Sequence, residues 1–340
     1  MKKFFIGVLA CSVLALATAL VMWNLHWDRF RPAPASKATH SAVGSPDTHL
    51  LAGSNALAAM AKGAIHSNGT ARTEECRGSI EVMTILGLGE NKNYNARSRA
   101  MRKLTRHLQA EDVTALCAFL ESPLSGDKFL KPGELNALKN DVLGVLLTQE
   151  KPPSGLGRQV VAMSRDVGQD GVWRDYCVQY LFDCYEALKP TGVATNEPDV
   201  TRKAIESACQ DALGEKDTTI AGTALLTMDR LSKNHAEFSH KMLGDKALTL
   251  ATDETCSEAT RITALRLCGT IGKPEVLPVA RMLAQSGDTI MLQAAAIATI
   301  GDLGQPRDTE LLTSLAGSKE KRIQKVAEAA RAKLSARVQN

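Results

Sequence analysis

The chain has 340 residues, with 41 Lys plus Arg against 37 Asp plus Glu and a formal net charge of +4. Apolar residues make up 44% and aromatics 4%, with 25 Gly and 12 Pro, which excludes a collagen-like, low-complexity or mostly disordered chain. Residues 1–50 carry +3 and residues 316–340 carry +5, while residues 51–315, with 29 basic and 33 acidic side chains, carry −4. A body built to neutralise nucleic-acid phosphates needs a stronger basic excess, so no nucleic-acid partner is expected.

The chain opens on Met1-Lys2-Lys3, followed by 20 uncharged and mainly apolar residues, Phe4 to Trp23. At about 1.5 Å per residue such a helix spans roughly 30 Å, the hydrocarbon thickness of a bilayer. Trp23 and Trp27 stand where an interfacial aromatic belt would lie. Residues 1–27 therefore read as a signal anchor. The competing reading is a signal peptide cut after Ala17-Thr18-Ala19, and Val8-Leu9-Ala10-Cys11 has a weaker lipoprotein-box character. Lys2 and Lys3 on one side are nearly balanced by Arg29, Arg31 and Lys37 on the other. The short N-terminal tail favours an N-inside orientation and an exported, periplasmic or extracytoplasmic body; a secreted or cytoplasm-facing body is the alternative. Residues 28–50 hold three Pro among Ser, Thr and Ala and read as a flexible tether.

From residue 51 to 340 the apolar spacing is helical throughout. It predicts helices over 54–65, 76–87, 96–109, 111–121, 134–149, 155–166, 172–188, 199–213, 218–232, 236–251, 257–271, 274–285, 288–302, 306–316 and 319–336. The Pro- and Gly-bearing segments 122–133, 150–154 and 189–198 read as loops. Residues 261–272 superpose on 293–304 at an offset of 32: Ala264 on Ala296, Leu265 on Ile297, Gly269 on Gly301, Ile271 on Leu303, Gly272 on Gly304 and Pro274 on Pro306. The following segment matches too, Val279 with Leu311, Ala280 with Leu312 and Leu283 with Leu315. Gly272 and Gly304 are placed to end one helix in a left-handed conformation, and Pro274 and Pro306 to start the next. One such hairpin cannot bury its apolar stripe alone, so neighbours must stack.

This pattern resembles HEAT repeats, with the clearest match over 257–316. The resemblance extends upstream through Ala224-Leu225, at an offset of 40 and so with a longer inter-helix loop, and through Asp170-Gly-Val-Trp-Arg174, which looks like the family's Asp-x-x-Val-Arg helix start. Asp288 and Arg261 fall where the family often keeps an Asp–Arg ladder, with Gln293 in place of one Arg. The fold class the resemblance implies is all-α, a right-handed α-solenoid of stacked helical hairpins. Residues 319–336 serve as its capping helix, with Ile323, Val326, Ala327, Ala330 and Leu334 on the docked side.

Two groups are candidate partner contacts. Arg97, Arg99, Arg102, Lys103 and Arg106 cluster with His107; on one continuous helix Arg99, Arg102, Lys103 and Arg106 share the face opposite Ala100, Met101, Leu104 and Leu108, and would dock an anionic partner or lipid head groups. A solvated helix face is the plainer reading. Residues 173–185 hold five of the nine aromatics beyond the tether. Trp173, Tyr176, Cys177, Tyr180, Leu181 and Cys184 form a core stripe, whereas Phe182 and Tyr185 point elsewhere and are candidate interface anchors or residues packed on the adjacent hairpin.

Of eight Cys, Cys11 lies in the apolar run. Cys76, Cys117, Cys177, Cys184, Cys209, Cys256 and Cys268 cannot all pair within one chain and have no C-x-x-C, so they read as buried thiols. Their odd number sits awkwardly with an oxidising compartment. His235 and His240 are five apart, the wrong spacing for a metal pair on one helix face. No catalytic constellation, cofactor or metal site is expected. The leading expectation is a non-enzymatic, membrane-tethered protein-interaction scaffold; the alternative is a ligand-binding or lyase-like helical-repeat enzyme with a pocket near Trp173–Tyr185.

Overall fold

The computed structural model describes residues 75–123, 126–188, 197–286 and 289–339. The chain divides into two compact units, Met1–Leu51 and Ala52–Asn340, and the described residues belong to the second. The apolar run Phe4–Trp23, the tether and the helix expected at 54–65 lie outside the described residues. Among the described residues no helix is long and apolar enough to cross a membrane.

The described residues form helices and no strand. In chain order they are α1 Glu75–Ile85, α2 Tyr94–Met101, α3 Ala110–Glu121, α4 Pro132–Leu147, α5 Leu156–Arg165, α6 Gly171–Ala187 and α7 Glu197–Ala212. The series continues with α8 Ile220–Ser232, α9 His240–Thr252, α10 Glu258–Ile271, α11 Leu277–Ser286, α12 Ile290–Leu303, α13 Thr309–Ala316 and α14 Lys321–Gln339. Short 3₁₀ turns at Pro274–Val276 and Pro306–Asp308 lead into α11 and α13. The even-numbered helices pack in an unbroken file, each on the even helix before and after it, and odd-numbered helices pack against that file as a second layer.

The repeat seen at an offset of 32 is a repeat of burial. Ala264, Leu265, Ala296 and Ile297 are fully buried on α10 and α12, as are Ala280 and Leu312 on the helices that follow. Ala224 and Leu225 of α8 are buried in the same way, and the longer connection expected after them runs over 233–239. Each large apolar side chain taken out of water contributes about 1.5–3 kcal/mol. In α10 that burial is supplied by α8, α9 and α12 together. At the C-terminal end α14 buries Ile323, Ala327, Ala330 and Leu334 against α12 and α13, with Val326 half-buried, and leaves Lys321, Lys325 and Arg331 exposed.

Stacked short helices multiply helix ends, whose last carbonyls lack intrahelical partners and carry negative partial charge. Here side-chain donors reach back to them. Arg97 Nε donates to Ile85 O at the end of α1 (2.7 Å), and the fully buried Lys139 donates to Ser122 O at the end of α3. Arg174 Nε donates to Ser164 O in the last turn of α5 (3.0 Å), and Arg202 to Leu188 O after α6. Gln293, in the place of the expected Arg, donates from Nε2 to Ala284 O in α11 (2.8 Å). Burial lowers the Lys139 ammonium to about 8, while its Nζ lies 5.2 Å above the Trp173 ring.

Two local expectations are corrected. Gly272 ends α10 with φ 82°, as its left-handed role requires, but Gly304 has φ −56° and ψ 163°. At the second turn Asp308 accepts from Gln305 N (2.7 Å) and pairs with Arg281, and Arg337 of α14 donates to Gly304 O, so that end is held by side chains absent from the first. The helix expected over 96–109 stops at Met101. The buried Gln149, just after α4, donates to Thr105 O (3.1 Å) and accepts from Leu108 N (3.0 Å), which fixes 105–108 as an extended turn.

The described thiols Cys117, Cys177, Cys184, Cys209, Cys256 and Cys268 are free, and all but the half-buried Cys117 are buried. Burial pushes Cys209 and Cys268 up to about 12.

Gly301 marks a close helix approach: a Cβ there would stand 2.7 Å from Ala330 Cα and 2.8 Å from Ala330 Cβ. Gly301→Ala is expected to destabilise the body by about 1–3 kcal/mol, since α12 and α14 must move apart. Gly133→Ala, with nothing within 4 Å of its Cβ, is expected to be neutral or stabilising by up to about 1 kcal/mol. Urea unfolding midpoints of the two variants check the contrast.

Candidate functional site

Helix α2 is short and its orientation is fixed by one buried ion pair. Asn93 caps it, with Oδ1 accepting from Ala96 N at 2.9 Å. Arg97 is fully buried beneath α1, over the Phe119 ring at 5.6 Å, and pairs with Asp127. Gly87, at φ 73°, lets the backbone after α1 pass beside the guanidinium; a Cβ there would stand 3.1 Å from Nη1. Asp127 in turn accepts from Phe129 N (2.9 Å) and Leu130 N (3.2 Å). Against the opposing effect of burial, the Arg97 pair and these N–H groups hold its carboxyl below the ordinary range.

With Arg97 buried, Arg99 faces outward. Asn93, Asn95, Arg99 and Arg102 line an open depression of about 410 Å³. Arg102 follows the last helical residue and donates to Ser98 Oγ at 3.3 Å, with Asp141 of α4 facing it. Lys103 is exposed but paired with Glu81 Oε1 at 2.9 Å. Arg106 is exposed in the turn clamped by Gln149, and His107 lies 3.3 Å from Glu150. The predicted basic group is thus divided. Arg99 and Arg102 share the depression, Lys103 and Arg106 sit outside the helix, and Arg97 belongs to the core. Asn93 and Asn95 were not among the expected contacts; the helix-capping preference of Asn ahead of the apolar-periodic segment was the signal available.

The aromatic segment lies on α6. Trp173, Cys177, Tyr180, Leu181 and Cys184 are buried as the core stripe, and Tyr176 is half-buried. Tyr185, expected as an interface anchor or packed on the adjacent hairpin, takes the second place and is 2% exposed: it packs edge-on against His235 and Phe238, and its hydroxyl donates to Glu237. The connection between α8 and α9 supplies all three partners, a neighbour that the periodicity of α6 cannot reveal. Phe182 is half-buried under Arg230, whose guanidinium stands 3.7 Å from the ring centroid. Next to it, burial raises the Asp183 carboxyl to about 6, against the pull of Arg230 at 3.8 Å. His235 pairs with Glu186 at 2.6 Å and His240 meets Ser232 Oγ at 3.4 Å, so the two imidazoles have separate partners. Among the described residues no cluster of His, Cys, Asp and Glu could hold a metal ion.

Residues 246–332 match HEAT repeats. That span runs from within α9 to within α14 and contains the offset-32 pair of modules. Upstream of it the same two-layer packing of helices continues to α1. Comparison with curated proteins and with solved structures gives no match.

Arg97→Ala is expected to destabilise the body by about 3–5 kcal/mol, because Asp127 and the Ile85 carbonyl lose their buried partner. The exposed Arg99→Ala is expected to stay within about 0.5 kcal/mol of the parent in the same chemical-denaturation measurement.

Asp183 gives a pH signature. Its folded pKa lies above the ordinary carboxylate value, so between about pH 4 and 6 the folded state binds more protons than the unfolded state. Its contribution to stability therefore falls as pH rises through that window. Asp183→Asn is expected to remove that component; thermal unfolding of both chains across the window reads the difference in slope.

Proposed function

We propose that this protein is a non-enzymatic interaction scaffold, held at a membrane by its N-terminal apolar run with the helical body exported. The observation that carries the reading is the unbroken file of even-numbered helices, flanked by a second layer, with HEAT repeats matched over residues 246–332. Such a stack presents long rows of side chains from successive modules, a geometry suited to extended protein partners. The 20-residue run Phe4–Trp23, flanked by Lys2 and Lys3, supports the anchor, and the Pro-containing stretch 28–50 supports a flexible connection from it to the body. Holding the scaffold at a surface raises its effective concentration toward partners in the same membrane.

The competing reading, a ligand-binding or lyase-like enzyme with a pocket near Trp173–Tyr185, has less support. Trp173, Cys177, Tyr180, Leu181, Cys184 and Tyr185 occupy that region with their own packing.

The location is tested with Ser45→Cys in the tether and a membrane-impermeant thiol reagent on intact cells, compared with the parent chain. The thiols with raised pKa values in the body contribute little background, since the thiolate is the reactive form. Labelling of intact cells is expected; labelling only after lysis would reject an exported body. Crosslinking in native membranes followed by affinity capture tests the scaffold role. Protein partners are expected, and recovery of a tightly bound small molecule in their place would favour the enzyme reading.

A further inference from the structure

We propose that the depression formed by Asn93, Asn95, Arg99 and Arg102, with Arg106 in the turn after α2, takes the phosphates of anionic lipid head groups and sets how the body lies on the membrane. This rests on the membrane-tether reading and adds to it a surface of the body itself.

The first support is the division of charge. Residues 91–107 hold six basic side chains and no acidic one, within a segment 51–315 whose net charge is −4. Three of the six are already committed. Arg97 is in the core with Asp127, Lys103 pairs with Glu81, and Lys92 lies 4.8 Å above the Phe129 ring. Of the remainder, Arg102 faces Asp141 of α4, and the neighbouring His107 is paired with Glu150. Arg99 and Arg106 are exposed and, among the described residues, have no carboxylate within ion-pair distance.

The second support is preorganisation. Anchoring of α2 by Arg97 holds Arg99 on the outward face, and the Gln149 clamp fixes the turn that carries Arg106. The depression presents two guanidinium groups, which suit phosphate oxygens in a forked geometry, and two amides able to donate alongside them. Its edge continues into an amphipathic rim: Lys92 precedes Asn93, and the Phe129 beneath it is 59% exposed. An aromatic ring beside a cation is the pairing found at bilayer interfaces. A lipid surface is favoured over a soluble anionic partner because α1 and α2 are the described helices nearest in sequence to the apolar run.

The test uses the full chain in nanodiscs of phosphatidylcholine alone and of phosphatidylcholine with phosphatidylglycerol, read by hydrogen exchange over residues 93–107. A basic side chain near an anionic surface is worth about fivefold in binding, so three together give a preference of up to about a hundredfold. Exchange in the turn 102–107 is expected to slow by at least about fivefold in the acidic discs. The effect is expected to disappear at molar salt and in the Arg99→Glu/Arg102→Glu chain, with the thermal midpoint of that chain confirming its fold. Equal exchange in both disc types overturns the proposal, whether or not the apolar run inserts. Failure of the run to insert, with acidic-lipid protection retained, overturns the tether and leaves the head-group site standing. Equal protection by inorganic phosphate in neutral discs would reassign the depression to a soluble anion and overturn the lipid assignment.

Discussion

No helix of this body can hide its apolar stripe by itself. The fully buried Leu225, Leu265 and Ile297 occupy equivalent places on α8, α10 and α12, and each of these helices packs on its even-numbered neighbours. Burial of such side chains supplies about 1.5–3 kcal/mol apiece, but only while the next module is in place. The stability of each module is therefore borrowed from its neighbours. α14 docks on α12 and α13, burying Ile323, Ala327, Ala330 and Leu334 on one side and exposing lysines and arginines on the other.

Stacking creates a second demand. Packing short helices in two layers buries their ends, and the orphan carbonyls there require donors. Arg97, Lys139, Arg174 and Gln293 supply them from even-numbered helices to the odd-numbered helices that precede them. These side chains tie the two layers together in polar terms as the apolar stripe ties successive modules in hydrophobic terms. The same demand explains why a run of basic residues splits into structural and surface members. Arg97 is consumed by the end of α1, and its burial leaves Arg99 facing outward.

Much of this was legible in the residues. The offset-32 superposition located the two-helix modules, and its aligned pairs Ala264–Ala296, Leu265–Ile297 and Ala280–Leu312 are buried in both. The docked side of α14 was readable because its apolar residues recur on one side only. What escaped were effects of distant partners on local preference. Nothing in residues 102–109 disfavours a helix; Gln149, some forty positions later, ends it. Gly304 looks like Gly272 in sequence, but Asp308 and Arg337 hold its turn differently. Arg97 could not be told from its exposed neighbours without knowing that Asp127 and the backbone beside Gly87 close around it. Which of its two expected places Tyr185 takes was undecided for the same reason, since the residues that cover it come from the connection after α8.

A stack of this kind keeps its surface rows in register only while every module leans on the next. Hydrogen exchange on a chain ended after Gly317, which lacks α14, tests that dependence most directly. α12 and α13 are expected to lose their amide protection together, with partial loss in α10 and none in the modules near α2. Full parent-level protection of α12 in the shortened chain would contradict that dependence.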